Sequence, residues 1–186
     1  MTKLLKLFPL LILFTLAACD ENKQKPKSGT ENFPQTLKTA PQFDSFQESS
    51  EIQEIKSLLA TDPNNFGALS ALGDMYFESS RYLEAIQIYD RAIAINPMCA
   101  DCFNDKGLAL YYSGDANAAL ASFDKATTAD PTYVYAWLSK GFVLVSSGRY
   151  EEAVAPLNKV KELDTEGGLA AEADKFLAMV AENTTR

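Results

Sequence analysis

The cysteines are the residues of this sequence whose type and spacing could support a reaction or bind a metal. Cys99 and Cys102 form a C-x-x-C motif, and a third cysteine, Cys19, follows an apolar N-terminal run. A thiol pair at this spacing can form a disulfide, exchange disulfides or bind a metal. The sequence has no histidine, which excludes a histidine base, a Ser-His or Cys-His nucleophile pair and histidine-containing zinc sites. We therefore predict a protein that is not an enzyme and that has no metal site and no cofactor.

The C-x-x-C pair lies at the start of a predicted helix, where residues three apart have Cα atoms close enough for a disulfide. Zinc would need two further ligands, and covalent haem would need a histidine where Phe103 stands. A catalytic pair of the thioredoxin type would need a thioredoxin fold around it, and the surrounding pattern is helical. We predict a local disulfide or two inert thiols at Cys99 and Cys102, with thiol-redox activity as the alternative.

Composition predicts one domain with a hydrophobic core. The chain has 186 residues, of which 47% are hydrophobic and 23% are charged, and this length is sufficient for such a core. The formal net charge is −8 and the pI is near 4.6. Because phosphate binding needs clustered Lys and Arg, nucleic acid is not an expected partner.

The N-terminus has the order of an export signal. Lys3 and Lys6 precede an apolar run from Leu7 to Leu16, which is short for a membrane-spanning helix, and small residues follow. The sequence Leu16-Ala17-Ala18-Cys19 resembles the lipobox of bacterial lipoproteins. That resemblance implies a signal peptide at residues 1–18 and a lipid attached to Cys19, which would anchor the protein to a membrane. The alternative is an ordinary signal peptide with a chance cysteine.

Residues 19–43 are predicted to form a disordered tether. This segment is rich in Lys, Gln, Thr and Ser, and Pro26, Pro34 and Pro41 interrupt any helical pattern. As a coil it would span roughly 25 Å. Asp20, directly after the lipid cysteine, resembles a signal for inner-membrane retention in enterobacteria, but that rule is not general. We expect an exported protein anchored at the periplasmic face of a bacterial cell membrane, with the choice between inner and outer membrane open.

Residues 44–186 are predicted to form a helical repeat domain, because three kinds of residue recur every 34 positions. These residues are Gly73, Gly107 and Gly141, then Ala85, Ala119 and Ala153, and then Pro63, Pro97 and Pro131. Together with the aromatic and leucine residues around them, they resemble the tetratricopeptide repeat family. In the first repeat the resemblance is carried by Leu69, Leu72, Gly73, Tyr76, Ala85, Tyr89 and Pro97.

The resemblance implies an all-α, right-handed solenoid of helix hairpins, with repeats at about 66–99, 100–133 and 134–167. We predict helix pairs at Asn65–Ser79 with Tyr82–Ile95, at Met98–Tyr112 with Ala116–Ala129, and at Thr132–Ser147 with Tyr150–Leu163. The recurring glycines are expected to lie against the recurring alanines. An orphan N-terminal helix, begun by a capping box at Ser45 and Glu48, would cover one end of the array. A capping helix at about 169–182 would cover the other.

In this family the first helix of each repeat lines a concave groove that binds peptides. Carried over by position, the partner-binding residues are Asp74, Phe77, Glu78, Asp101, Asn104, Asp105, Leu108, Tyr111, Tyr112 and Tyr135, beside Ser70, Leu138, Phe142 and Val145. These positions carry no Lys or Arg, so a clamp for acidic peptide tails is disfavoured. We expect an exposed aromatic and acidic groove that selects a basic or apolar segment. The alternative is that some of these aromatic rings belong to the core beneath the capping helix.

Three functions fit these features. The first is a membrane-anchored adaptor or scaffold of the bacterial cell envelope, whose groove binds an envelope protein or peptide. The second is a thiol-redox accessory protein that acts through Cys99 and Cys102. The third is a structural oligomerisation module.

Overall fold

A computed structural model describes residues 48–165 and 167–184. The predicted signal peptide, the predicted lipidation site Cys19 and the predicted tether lie outside the described residues. Within that part of the chain the structure has eight α-helices. They are α1 (Ser50–Thr61), α2 (Phe66–Glu78), α3 (Tyr82–Ile95), α4 (Ala100–Tyr112), α5 (Ala116–Ala129), α6 (Val134–Ser146), α7 (Tyr150–Leu163) and α8 (Gly168–Thr184).

The helices pack as three successive hairpins with one helix at each end. Contacts join α2 to α3, α4 to α5 and α6 to α7, while α3 also contacts α4 and α5 contacts α6. The connection within each hairpin is three residues long, and such short connections make neighbouring helices antiparallel. The predicted all-α solenoid is confirmed. Both ends of every hairpin helix lie within two residues of the predicted ends.

The turn inside each hairpin requires a left-handed backbone. Gly114 and Gly148 adopt φ values of 100° and 71° there. The equivalent position of the first hairpin is Ser80, with φ 58°. Glycine takes this conformation without steric cost, whereas the Cβ of serine is crowded. The first turn therefore carries strain that the other two turns avoid.

The recurring glycines bring the two helices of each hairpin together, but against a different partner from the one predicted. A Cβ added to Gly107 would lie 2.5 Å from Cε1 of Phe123, and one added to Gly73 would lie 2.5 Å from Cε1 of Tyr89. Leu157 takes the same position against Gly141. The expected alanines are fully buried one helical turn earlier. The glycines therefore make room for a large side chain, which fills the centre of the hairpin.

Lysines at two equivalent positions join each hairpin to the one before it. The Nζ of Lys106 on α4 is 2.5 Å from a carboxylate oxygen of Asp90 on α3, and Lys140 on α6 makes the same contact with Asp124 on α5. Each lysine side chain is about three-quarters buried, so its methylene groups cover apolar surface while its amine reaches the surface.

The N-terminal helix α1 covers α2, but it begins later than predicted. Ser49 is the N-cap, and its Oγ accepts a hydrogen bond from the backbone N–H of Ile52 at 3.3 Å. Glu48 binds Lys56 and Arg81, and Ser45, the other member of the predicted capping box, lies outside the described residues. Ile52 and Leu59 of α1 are buried, whereas Leu58 is 46% exposed.

The C-terminal helix α8 closes the other end of the array. Ala173 and Val180 are buried against α7, and the ring of Phe176 lies 5.8 Å from that of Phe142 on α6. Glu172, whose side chain is only 15% exposed, binds the exposed Lys175. Among the described helices, none combines the length and the apolar character that crossing a membrane requires.

Candidate peptide-binding groove

The first helices of the three hairpins, α2, α4 and α6, carry the predicted partner-binding residues on one side of the array. These side chains are less exposed than the sequence analysis predicts. Asp74, Asp101, Tyr111, Tyr112 and Tyr135 are half-buried, and Glu78 is exposed. Four others are buried, namely Phe77, Asn104, Asp105 and Leu108, with 6%, 2%, 4% and 1% of their surface exposed. The buried residues form the floor of the groove, and the half-buried ones form its walls.

Three aspartates form what we call the carboxylate cluster, namely the buried Asp105 and the half-buried Asp74 and Asp101. The hydroxyl of Tyr89 donates to Oδ1 of Asp74 at 2.7 Å. Burial raises the pKa of the Tyr89 phenol, and the nearby charges of Asp105, Asp74 and Asp101 raise it further. All three carboxylates therefore lie close enough to act on one phenol.

Tyr133 connects the carboxylate cluster to the third hairpin. Its hydroxyl donates to Oδ1 of Asp101 at 2.5 Å, across 32 positions of sequence. Burial raises the pKa of Tyr133, and the hydrogen bond to Asp101 raises it further. The phenol therefore stays protonated and keeps the Asp101 carboxylate oriented towards the groove.

Sequence reasoning missed both tyrosines. Tyr89 occupies the position that Phe123 and Leu157 hold in the later repeats. Only Tyr89 carries a hydroxyl there, and this hydroxyl is the signal that could have predicted a hydrogen bond to the groove residues. Tyr133 is the N-cap of α6, and it is not among the groove positions that the family resemblance implies. Its contact with Asp101 depends on how the second and third hairpins pack, and no local pattern reports that.

Asn104 has a buried oxygen with no donor. Its Nδ2 donates to Oδ1 of Asp105 at 3.2 Å, and this orientation leaves its Oδ1 buried without a hydrogen-bond partner. An unsatisfied buried acceptor costs about 1–3 kcal/mol. A ligand N–H group that reached the Oδ1 of Asn104 would satisfy this acceptor.

Aromatic rings line the groove beside the carboxylates, in what we call the aromatic ladder. The ladder consists of Tyr82, Phe77, Tyr112, Tyr111 and Phe142. Tyr82 stacks on Tyr112 with centroids 5.4 Å apart, and Phe77 lies 5.7 Å from the same ring. Tyr111 continues the ladder to Tyr112 and Phe142, at 5.3 Å and 5.4 Å. Burial, and then the neighbouring tyrosines, raise the pKa of Tyr112 to about 12.

The ladder spans all three hairpins, and Tyr82, which the sequence reasoning had not assigned to the groove, belongs to it. Asp105 and Tyr112 are seven residues apart on α4, so they share one face of that helix. The groove therefore offers negative charge and aromatic surface side by side. The ten predicted positions contribute four acidic side chains and no basic one.

The two cysteines of the C-x-x-C motif are joined by a disulfide at the start of α4, with Cα atoms 5.3 Å apart. Cys99 is the N-cap, and Cys102 is 4% exposed. Asp101 of the carboxylate cluster lies between them in sequence. In the part of the chain that the structure describes, no group of three or more Cys, Asp or Glu side chains is arranged to hold a metal. The redox state of the pair in the cell stays a prediction.

Comparison with known families places these residues among helical repeats. A family model described as Tetratricopeptide repeat matches residues 104–168, and a second, described as TPR repeat, matches residues 73–114. Together the matches run from 73 to 168, which is more than half of the chain. A search of curated protein sequences gives no match.

Solved structures of similar fold include one described as MamA, which is 24% identical to this chain with a TM-score of 0.58. The match covers 72% of this chain and 86% of the MamA chain. The TPR2B domain of yeast Sti1 in complex with pHsp70 is 23% identical with a TM-score of 0.58, over 72% of this chain and 98% of its own. The first TPR of Spaghetti, bound to the HSP90 peptide SRMEEVD, is 20% identical with a TM-score of 0.60, over 65% and 94%. At these identities the likeness shows the fold alone.

Proposed function

This chain belongs to the tetratricopeptide repeat family, and we propose that it is a lipid-anchored adaptor of the bacterial cell envelope. Its groove between α2, α4 and α6 would bind a segment of a partner protein. Proteins of this family are generally interaction modules rather than enzymes. Two of the similar structures are complexes with segments of other proteins, according to their descriptions.

The observation that carries this proposal is the carboxylate cluster beside the aromatic ladder. Apolar side chains of a ligand could pack on the rings, and a Lys or Arg could lie between the rings and the carboxylates, each such contact contributing about 0.5–2 kcal/mol. An acidic segment would lose its water and meet like charges. The peptide bound to Spaghetti, SRMEEVD, has three acidic residues. The groove described above favours the opposite charge, so we expect a basic or apolar segment.

The anchor is the second part of the proposal, and its support is in the sequence. The charged, apolar and small residues before Cys19 stand in the order of a lipoprotein signal. Lipid chains on that cysteine would hold the domain at a membrane surface and place the groove within reach of envelope proteins.

The groove is tested with a peptide array probed by residues 45–186 of the chain. We expect the array to select peptides with Lys or Arg among apolar residues, with binding that weakens as salt rises. Glu78→Lys reverses an exposed charge, and Tyr111→Ala removes a half-buried ring, so both variants should bind the same peptides more weakly. Substitution of Asp105 is a poor test, because a residue 4% exposed cannot change charge without damage to the fold.

A matched control comes from the outer surface. Glu162→Lys also reverses an acidic charge, on α7, and it should leave peptide selection unchanged. Selection of acidic peptides, or equal binding by Glu78→Lys and the unmodified domain, would place the site elsewhere.

A further inference from the structure

We propose that residues 32–43 of this chain occupy the groove of the same molecule, with Lys38 at the carboxylate cluster, so that a partner must displace them. This inference shares one premise with the proposed function, namely that the groove binds a peptide. It adds an internal competitor and thereby a means of regulating access.

Residues 32–43 have the chemistry that the groove selects. They read NFPQTLKTAPQF, with one lysine, two phenylalanines, one leucine and no acidic residue. A single Lys among apolar side chains matches a floor that carries negative charge and a wall of rings. The buried Oδ1 of Asn104 accepts no hydrogen bond. The Lys38 ammonium is a hydrogen-bond donor that could supply one.

The described chain begins at the right place for this contact. Glu48 is held by Arg81, with Nη1 and Oε1 3.1 Å apart, and Arg81 is the N-cap of α3, in the turn between α2 and α3. Two members of the aromatic ladder, Phe77 and Tyr82, lie at that same end of the hairpin, 5.5 Å apart. Glu48 therefore lies at the end of the first hairpin where the ladder begins.

The segment is long enough to reach the floor. Asp105 lies seven residues before Tyr112 on α4, which is about 10 Å along the helix, and adjacent helix axes are about 8–10 Å apart. The ten peptide steps from Glu48 to Lys38 span up to about 33–36 Å when extended. Phe43 then falls near the ladder and Lys38 near the carboxylates. The segment is flanked in sequence by two acidic residues, Glu31 and Asp44.

Occupation by the same molecule has an advantage over a separate ligand. A segment joined to the groove by a short linker competes at an effective concentration in the millimolar range. Weak contacts therefore suffice to fill the groove when no partner is present. If Cys19 carries the lipid, residues 20–37 alone would separate the membrane from the docked lysine, and displacement by a partner would lengthen that tether.

The test uses residues 20–186, produced without the predicted signal peptide, and a carbodiimide, which couples a lysine amine directly to a carboxylate. Mass spectrometry should find Lys38 linked to Asp74, Asp101, Asp105 or Glu78 within single molecules, in a yield independent of protein concentration. Lys27, in the same tether, is the internal control and should give few such links. Links that appear in dimers and rise with concentration would assign the groove to a second copy and overturn the proposal.

A binding measurement gives a second readout. A labelled synthetic peptide of residues 32–43 is titrated into the unmodified protein and into Lys38→Ser and Lys27→Ser, with circular dichroism to check folding. We expect Lys38→Ser to bind the peptide at least about threefold more tightly than the unmodified protein, because its own segment no longer competes. Lys27→Ser should behave like the unmodified protein. Equal affinities for all three, together with no Lys38 links, would overturn the proposal.

The outcome is separable from the proposed function. Peptides selected by the array should also bind Lys38→Ser more tightly. If foreign peptides bind both proteins equally and Lys38 is not linked, the adaptor function stands and the internal competitor is wrong. If Lys38 is linked but no foreign peptide binds either protein, the groove is a closed structural site and the adaptor function is wrong.

Discussion

At the scale of single residues, a missing Cβ sets the distance between two helices. Gly107 is buried on α4, and the ring of Phe123 on α5 occupies the space where its Cβ would be. The ring is fully buried, so it has no room to move aside. This arrangement recurs in all three hairpins, which makes it a property of the repeat.

We predict that Gly107→Ala destabilises the domain by about 1–3 kcal/mol, because overpacking outweighs the gain of about 1 kcal/mol in helix propensity. Thermal and urea unfolding measure the change. Gly67→Ala is the matched control, since a Cβ there meets its nearest neighbour at 3.7 Å, and it should be neutral or stabilising. A Gly107→Ala variant as stable as the unmodified protein would show that Phe123 can yield.

A second prediction concerns the strained turn at Ser80. Ser80→Gly should raise the free energy of unfolding by about 0.5–1 kcal/mol, because relief of the left-handed strain exceeds the entropy that glycine adds to the unfolded chain. Gly114→Ala, at the equivalent turn with φ 100°, should destabilise. Urea unfolding of both variants decides the point. The Tyr82 hydroxyl donates a hydrogen bond to the Oγ of Ser80 at 3.3 Å, and a fall in stability for Ser80→Gly would mean that this bond matters more than the backbone strain.

At the scale of helices, charge pairs fasten α1 to the array. Glu48 accepts hydrogen bonds from Lys56 at 2.6 Å and from Arg81 at 3.1 Å, and Arg81 also lies 4.3 Å from the centroid of the Tyr76 ring. The hydrogen bonds from Lys56 and then from Arg81 lower the pKa of Glu48 below its ordinary value of 4.5. Glu48 therefore binds protons more weakly in the folded state than in the unfolded state.

This difference predicts a dependence of stability on pH. A carboxylate with a lowered pKa stabilises the fold fully above its unfolded value near 4.5, and the contribution is lost as pH falls through the lower folded value. Between pH 6 and pH 3 the unmodified domain should thus lose more stability than Glu48→Gln. Urea unfolding at the two pH values measures both losses. Identical losses would mean that the pair is screened by water and contributes nothing.

At the scale of the whole molecule, the repeat array and the N-terminal residues have different predicted roles. The repeats form a rigid array with a groove, whereas the N-terminal residues carry the predicted signal and lipid. If both assignments hold, the location of the protein depends on one thiol and its specificity depends on the groove. The two properties can then be altered separately.

We predict that Cys19→Ser abolishes lipid attachment and membrane retention, because a hydroxyl cannot replace the thiol that receives the lipid. Labelling of cells with an acyl probe, followed by membrane fractionation, measures both. Cys99→Ser is the control, and it should label and fractionate as the unmodified protein does. Labelling that persists in Cys19→Ser would mean an ordinary signal peptide and would remove the anchor from the proposed function.

The sequence by itself determined the features that depend on neighbours along the chain. The 34-residue recurrence of Gly73 and its equivalents, together with apolar residues at helical spacing, predicted every hairpin helix to within two residues. Hydrogen bonds between residues four apart and turns three residues long are local, so local residue types decide them. Position within a repeat likewise predicts which acidic and aromatic residues belong to the candidate groove.

Tertiary structure alone decided which side chains meet between helices. Gly107 faces Phe123 rather than Ala119. Tyr133, at the start of the third hairpin, donates a hydrogen bond to Asp101 of the second hairpin. Such contacts depend on the angle and offset at which helices cross, and residues one turn apart are equally consistent with the sequence pattern. Burial of Asp105 on the groove floor was unpredictable for the same reason. It depends on side chains that different helices bring together, and the period of a single helix does not specify them.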